Sequence, residues 1–330
     1  MSFKHLARRT WLQCLVLGAI GLAVQPGLAA TFPERPIKIV VPFAPGAGTD
    51  TMGRLVAAKL AELLKTPVVV ENRVGASGAL GAQAVAQSAA DGHTLLLVAA
   101  PFTTVAAALP GAGYHPLNGF APVGMIAQGP LVWAANKALP ANTLPELLAL
   151  ARQRPGALNY GSAGVGGVNH LVLESLKART GTYITHIPYR GIAPATVDAL
   201  SGEIHLLTGT ITALAPYIRD GRLKALAVTS QRRSSALPQV PNMEEAGLPG
   251  FDVLNYFALV APRGTPASVV QTLNAALAVV VELPDVKARL ALDALEPSTG
   301  TPAALEAFLL KDFEGWKPVV KQQNLKIDAF

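Results

Sequence analysis

The feature that most constrains this chain is a strand, loop and helix unit at residues 37–64. Four residues of high strand propensity, Ile37, Ile39, Val40 and Val41, lead into a bend rich in proline and glycine. Apolar residues then recur at the spacing of one helix face: Met52, Leu55, Val56, Leu60, Leu63 and Leu64. The unit is typical of an α/β fold, and the backbone N–H groups at the start of its helix favour an anion.

The loop of this unit, residues 41–50, differs from the common phosphate-binding loops. After Gly46 and Gly48, Thr51 stands where a dinucleotide-binding fingerprint needs its third glycine, and no Gly-Lys-Ser/Thr follows. Thr49 or Asp50 is expected to cap the helix. Glycine also serves a tight turn for conformational reasons alone. The loop therefore predicts an anion site without identifying the anion.

Residues 1–30 predict a cleaved export signal. A basic start precedes an apolar run at residues 15–24, and small residues place the cleavage between Ala29 and Thr31. The run is too short to span a bilayer comfortably. The pair Arg8-Arg9 is compatible with a twin-arginine export signal, but ordinary secretion is the preferred interpretation. We expect a periplasmic protein.

Composition excludes several classes of function. The net charge is +6 and only 15% of residues are charged, which is too weak a positive field for a nucleic-acid partner. The single cysteine, Cys14, falls within the export signal, so the mature chain is expected to lack disulfides. The histidines beyond residue 30 lack the spacing of a metal site. We expect no metal, no cofactor and a monomer.

Strands and helices alternate along the chain. Apolar strands at residues 68–72 and 94–99 continue the opening unit and predict a parallel sheet covered on both faces. The opening pattern recurs at residues 158–167, where a short strand meets a second glycine-rich loop before a helix at Val168. We therefore expect two similar lobes. Residues 102–120 are expected to form a long loop, and two helices, 268–282 and 302–321, to close the chain.

The second loop leaves two interpretations open. Ser162 could act as a nucleophile with His170 as its base, but the flanking glycines stand at the wrong offsets for Gly-x-Ser-x-Gly. A hydroxyl beside free backbone N–H groups equally suits a ligand carboxylate. Arg190, which follows a predicted strand, is a candidate partner for that carboxylate.

A series of motifs spans nearly the whole mature chain in order. They are RPIKIVVPF (35–43), VENR (70–73), DGHTL (91–95), YGSAG (160–164), PYRG (188–191), ALAVTS (225–230), AGLPG (246–250) and APRGTP (261–266). With these motifs the chain resembles the Bug-type substrate-binding proteins of tripartite tricarboxylate transporters.

The resemblance implies a two-lobed, type II-like Venus-flytrap fold of class α/β. Residues 31–126 with 255–330 would form the first lobe and 127–254 the second, joined by crossing strands. Such a protein is not an enzyme; it captures a small mono-, di- or tricarboxylate and delivers it to a membrane permease. A ligand-sensing module for a membrane sensor kinase, or a secreted serine hydrolase, is the alternative.

The resemblance also assigns a binding site, in which Asp50 and His170 could instead position the loops. The expected site residues are Phe43, Ala44, Gly46, Ala47, Gly48, Asp50, Ser162, Ala163, Gly164, Gly166, His170, Arg190 and Gly209. Ala47 departs from the family, which usually has glycine there. Gly209 stands where the family often has an acidic or polar residue facing the distal part of the ligand. We therefore expect a wider pocket or a different distal group on the ligand.

Overall fold

The computed structural model describes residues 32–109 and 111–325 of the 330-residue chain. The predicted export signal lies outside the described residues, so its cleavage stays a prediction. The chain divides into a short unit, Met1–Glu34, and a large unit, Arg35–Phe330. Every described helix and strand belongs to the large unit.

Within the described part of the chain, ten strands form one sheet. They are β1 (Ile37–Val41), β2 (Val68–Asn72), β3 (Thr94–Ala99), β4 (Phe120–Asn136), β5 (Asn159–Ser162), β6 (Thr185–Pro188), β7 (Leu206–Thr210), β8 (Leu223–Val228), β9 (Leu254–Pro262) and β10 (Glu296–Pro297). Their order is β2-β1-β3-β9-β4-β7-β5-β6, and β8 and β10 also pair with β4.

Helices cover the sheet between these strands. They are α1 (Gly48–Leu64), α2 (Ala79–Ala86), α3 (Pro101–Ala108), α4 (Leu144–Gln153), α5 (Val168–Thr180), α6 (Ile192–Ser201), α7 (Ile211–Arg219), α8 (Ala267–Glu282), α9 (Pro284–Leu292) and α10 (Pro302–Gln322), with a 3₁₀ turn at Ala76–Gly78. Among the described residues, no single helix has both the length and the apolarity to span a bilayer, although α8 and α9, bent by 71°, pass that test as a pair.

Strand β4 divides the sheet into two lobes. Its residues 120–130 pair with β9 in the first lobe, whereas residues 131–136 pair with β7 and β8 in the second. The centre of each lobe is parallel, formed by β1 with β2 and β3, and by β5 with β6 and β7. The chain crosses between lobes in β4 and returns through β9. The predicted two-lobed α/β fold is confirmed, and the boundaries given above stay a prediction.

The apolar strands lie in the core, as their composition predicts. Ile37 and Ile39 of β1 are fully buried, as are Leu95 and Leu96 of β3. Because both faces of these strands are covered, consecutive residues are apolar instead of alternating with polar ones. β1 and β5 are parallel strands, and each is followed at its carboxyl end by a loop and the start of a helix. Open α/β sheets bind ligands at this end of their strands.

Two expectations for the loops and helices are wrong. Residues 102–120 are not one long loop, because α3 occupies Pro101–Ala108 and β4 begins at Phe120. Thr103 on α3 anchors this helix by donating to Asp312 of α10, at 2.5 Å between oxygens. An additional helix, α9, lies between the two predicted closing helices. Pro284 stands in its first turn, where the missing N–H of proline costs no helical hydrogen bond.

Candidate functional site

The first loop joins β1 to α1 and is held by the side chain of Asp50, which is only 3% exposed. Asp50 Oδ2 accepts the Gly46 N–H at 2.9 Å. Gly46 has φ +81°, a left-handed conformation that glycine adopts without a steric cost. Asp50 therefore fixes the loop to the first turn of the helix that follows it.

Two further side chains complete this clamp. Arg54 Nε donates to Asp50 Oδ2 at 3.0 Å, and Asn72 Nδ2 donates both to Asp50 Oδ1 at 2.8 Å and to Phe43 O at 3.0 Å. The Arg54 hydrogen bond, followed by that of the Gly46 N–H, lowers the pKa of Asp50 from 3.8 to about 2. The carboxylate is ionised at neutral pH and fully engaged, so it positions the loop and does not contact an anion.

The start of α1 presents backbone donors that no side chain caps. The N-cap residue is Ala47, so the expectation of Thr49 or Asp50 is wrong. Asp50 instead stands at the third helical position and accepts the N–H of Gly46, the residue before the N-cap, one position earlier than the acid of a capping box does. The N–H groups of Gly48 and Thr49 precede the first helical hydrogen bond, which runs from Thr51 N to Ala47 O. They are therefore available to an anion.

Replacing Gly46 by valine is expected to abolish ligand binding, whereas Ala47→Gly keeps or strengthens it. No atom lies within 4 Å of a Cβ at Gly46, so the effect arises from the positive φ and not from a clash. Gly221 is the matched control, because it has φ +67° and equally open surroundings outside the loop. Titration calorimetry of Gly46→Val beside Gly221→Val checks this. Equal affinities in the two variants would remove the loop from the site.

The second loop follows β5 and begins at Ser162, whose side chain is fully buried. Ser162 Oγ lies 2.6 Å from His186 Nε2, accepts the Gly164 N–H at 3.2 Å and lies 3.1 Å from Gly164 O. His186 belongs to β6, and the register of β5 and β6 places its ring beside Tyr160. The serine is therefore engaged inside the lobe.

His170 holds the other end of this loop. Its Nδ1 accepts the Gly166 N–H at 3.1 Å, and Gly166 has φ +78°. The rings of His170 and His186 stack with centroids 4.0 Å apart. Burial, followed by the charge of Lys177, lowers the pKa of His170 to about 4. Burial, followed by the neighbouring His170, lowers the pKa of His186 to about 3. Both rings are neutral at pH 7.

A buried polar cluster closes the far side of the stacked rings. Glu174 Oε1 accepts from the Tyr160 hydroxyl at 2.6 Å and from Lys177 Nζ at 2.7 Å, and it lies 3.9 Å from His170 Nε2. Burial and the Glu174 carboxylate raise the pKa of Tyr160.

No group of three or more His, Cys, Asp or Glu side chains within residues 32–109 and 111–325 is arranged to hold a metal ion.

The start of α5 repeats the arrangement of α1. Gly167 is the N-cap residue and has no side chain to accept a hydrogen bond. The first helical bonds run to Gly167 O from His170 N and Leu171 N, so the N–H groups of Val168 and Asn169 are available to a ligand. Ala163 is exposed and Gly164 is half-buried at the mouth of this loop, as Ala44 and Phe43 are in the first.

The remaining two expected residues have different surroundings. Arg190 is exposed just beyond β6, and no carboxylate in the described part of the chain pairs with it. Gly209 lies on β7, and a Cβ there would stand 2.9 Å from Leu214 and 3.5 Å from Ile192. The expectations of a wider pocket or of a different distal group on the ligand both stay predictions.

The structure does not form the Ser162–His170 pair of the hydrolase alternative. Ser162 bonds His186, while His170 bonds the Gly166 amide. Ser162 is 0% exposed, so its hydroxyl is not presented to a substrate. Sequence reasoning missed His186, Asn72 and Arg54 as supports of the two loops. Arg54 had a local signal, since it lies four residues after Asp50 on the same helix. Asn72 and His186 meet the loops only through strand register, which pairs Asn72 with Val41 and Pro188 with Ser162.

Two α/β lobes joined by a shared strand, each with a loop and a helix start at the carboxyl end of a parallel strand, have the architecture of periplasmic binding proteins. Solved neighbours share this fold: periplasmic binding protein BugD has a TM-score of 0.76 at 33% identity, with 89% of this chain and 99% of that chain covered. MatC from Rhodopseudomonas palustris, solved with bound malate, has a TM-score of 0.77 at 33% identity, with 88% of this chain and 100% of that chain covered. An R. palustris protein solved with adipate has a TM-score of 0.79 at 34% identity, with 89% of this chain and 99% of that chain covered.

Sequence comparison identifies the family. Residues 52–325 match the tripartite tricarboxylate transporter family receptor. The chain is 37% identical to Protein BugT of Bordetella pertussis over 315 residues, which are 95% of this chain and 96% of that protein. The chain belongs to this receptor family, as its motifs predict.

Proposed function

We propose that this protein binds a small carboxylate in the cleft between its lobes and delivers it to a tripartite tricarboxylate-type membrane permease. The observation that carries the proposal is the pair of uncapped helix starts, at Gly48 and at Val168, each directly after a clamped loop. The helix dipoles make both ends favourable for negative charge. Two such ends on opposing lobes suit a dicarboxylate or tricarboxylate, with one carboxylate at each loop.

The proposed site relies on backbone donors and not on a buried cation. Arg54 is committed to Asp50 and Lys177 to Glu174, so neither charge is free for a ligand. Backbone N–H groups that are already fixed lose little freedom when a ligand binds. Arg190 is the side chain that could add charge to the site, because it is exposed and lies beyond the strand that flanks Ser162.

The relatives solved with adipate and with malate support a dicarboxylate as the ligand class. We propose binding without chemistry, because the engaged and buried Ser162 offers no accessible nucleophile. Export to the periplasm through the segment at residues 1–30 is part of the same proposal. Closure of the lobes about β4 and β9 would enclose the ligand.

Dicarboxylates are expected to raise the melting temperature of the mature protein, since a ligand that binds only the folded state stabilises it. At a ligand concentration of about 100 Kd the gain is about 2.7 kcal/mol. Thermal denaturation with adipate, malate and a wider carboxylate panel measures this. The uncharged diamide of adipate is the matched control. No shift with any carboxylate, beside a shift with another ligand class, would overturn the proposed ligand class.

A further inference from the structure

We propose that His186 is a positioning residue for the second loop: through the Ser162 hydroxyl, it fixes the conformation in which residues 163–165 meet the ligand carboxylate. The inference rests on the proposed function and adds a residue to its site. His186 forms a hydrogen bond with this loop at Ser162 Oγ, 2.6 Å from its Nε2, and its ring also stacks on His170, whose Nδ1 accepts the Gly166 N–H. The hydrogen bond is the proposed route of its effect on a ligand, and the variants below separate it from the stacking.

The imidazole of His186 is held against two neighbouring rings. It stacks on Tyr160 and on His170, with centroids 4.8 and 4.0 Å away and interplanar angles of 25° and 20°, and the Tyr160 and His170 centroids are 6.4 Å apart. These two ring contacts restrict the orientation of the imidazole while its Nε2 bonds the serine. The position is specified by the sheet, because the β5–β6 register pairs His186 with Tyr160, two residues before Ser162.

The number of hydrogen bonds that the Ser162 hydroxyl can donate and accept explains why His186 must donate to it. A serine hydroxyl has one proton to donate and can accept two hydrogen bonds. Gly164 N–H fills one acceptor position, and Gly164 O lies 3.1 Å from Oγ. With a proton on His186 Nε2, the histidine donates to Oγ and the serine proton goes to Gly164 O. All partners are then satisfied, and Ser162 holds both backbone groups of Gly164.

The other tautomer leaves this loop less restrained. If Nε2 carried no proton, the hydroxyl would donate to it and Gly164 O would keep only the longer bond from the Gly167 N–H, at 3.4 Å. Gly164 has φ +134°, a conformation that depends on such local restraints. The neutral Nε2–H tautomer of His186 is thus the form that fixes the loop. His186 also lines an open groove of about 440 Å³, so other side chains fit at this position without a buried clash.

Three substitutions separate the bond from the stacking. His186→Phe keeps an aromatic ring against Tyr160 and His170 but removes the donor, and we expect a 3- to 10-fold rise in Kd for adipate or malate, about the value of one hydrogen bond. His186→Gln places an amide N–H near the former Nε2 and is expected to restore the affinity. Thr185→Val, on the same strand and exposed, is the matched control.

A double-mutant cycle with Ser162→Ala tests the route of the effect. If His186 acts through the serine, His186→Phe adds nothing to the loss caused by Ser162→Ala. Additive losses, or a phenylalanine variant with unchanged affinity, would overturn the inference. Should His186→Phe not fold, His186→Met against His186→Gln makes the same comparison.

Amide hydrogen exchange gives a readout that needs no ligand. The Gly164 amide is expected to exchange faster in His186→Phe than in the unsubstituted protein or in His186→Gln. Faster exchange in a protein that binds no carboxylate would count against the proposed function while supporting the positioning role. Unchanged exchange would count against the positioning role alone.

Discussion

Replacing Asp50 by alanine is expected to abolish carboxylate binding and to lower the free energy of unfolding by about 3 kcal/mol, because buried donors lose their acceptor. The carboxylate accepts hydrogen bonds from Gly46, Arg54 and Asn72. Without it, the first loop is no longer fixed to α1, and the donors at Gly48 and Thr49 lose their alignment with a ligand. Urea unfolding and titration with adipate or malate measure the two effects.

The control for this variant is Asp252→Ala, since Asp252 is exposed and outside both loops. Its stability and affinity are expected to stay close to those of the unsubstituted protein. Asp50→Asn offers a second comparison, because the amide retains an acceptor oxygen but turns its NH₂ toward one of the former donors. An Asp50→Ala protein that binds dicarboxylates with full affinity would show that the clamp does not shape the site.

Acidification from about pH 7 to about pH 4 is expected to destabilise the fold through the buried His170 and the half-buried His186. An unfolded histidine titrates near 6.5, whereas burial, followed by Lys177, lowers the pKa of His170 to about 4. Below pH 6.5 the unfolded chain therefore binds a proton that the folded chain does not, so stability falls with pH until about 4. For His170 this represents about 3 kcal/mol. His186 acts in the same direction, to about pH 3.

Protonation of His170 also acts on the site itself. Nδ1 accepts the Gly166 N–H, and a proton on Nδ1 would replace this bond by two opposed donors. His170→Asn places an acceptor oxygen near the same point without titrating, and is expected to flatten the loss of stability between about pH 6.5 and pH 4. His115→Asn, at an exposed histidine, is the control. Urea unfolding across this range measures both, and an unchanged slope in His170→Asn would contradict the assignment.

The positions of both loops could be predicted from sequence because their signals are local. Each loop follows a short strand, contains a glycine with positive φ and precedes a helix with a buried apolar face. The supports of the loops could not be predicted in the same way. Asn72 lies 22 residues from Asp50, and His186 lies 24 residues from Ser162. These contacts exist only through the register of neighbouring strands, which the sequence pattern alone leaves open.

The errors in the helices have a related cause. The loop expected at residues 102–120 came from the glycines and prolines at positions 110–119, whereas Pro101 at the helix start and the alanines at 106–108 are compatible with a helix. Burial of Phe102, Thr103 and Thr104 against the rest of the first lobe makes them a helix. The N-cap at Ala47 is also a tertiary effect, since Asp50, the expected cap, is drawn instead to Gly46, Arg54 and Asn72. Propensity is a weak guide where long-range contacts decide.

The shared strand β4 has a consequence for how such proteins can be recombined. Its residues 120–130 belong to one lobe and 131–136 to the other, and β9 carries the return crossing. A chimaera made by a single crossover between two relatives would combine part of β4 from one protein with pairing strands from the other. A viable chimaera that exchanges one lobe must therefore take its junctions in pairs, one in each crossing strand.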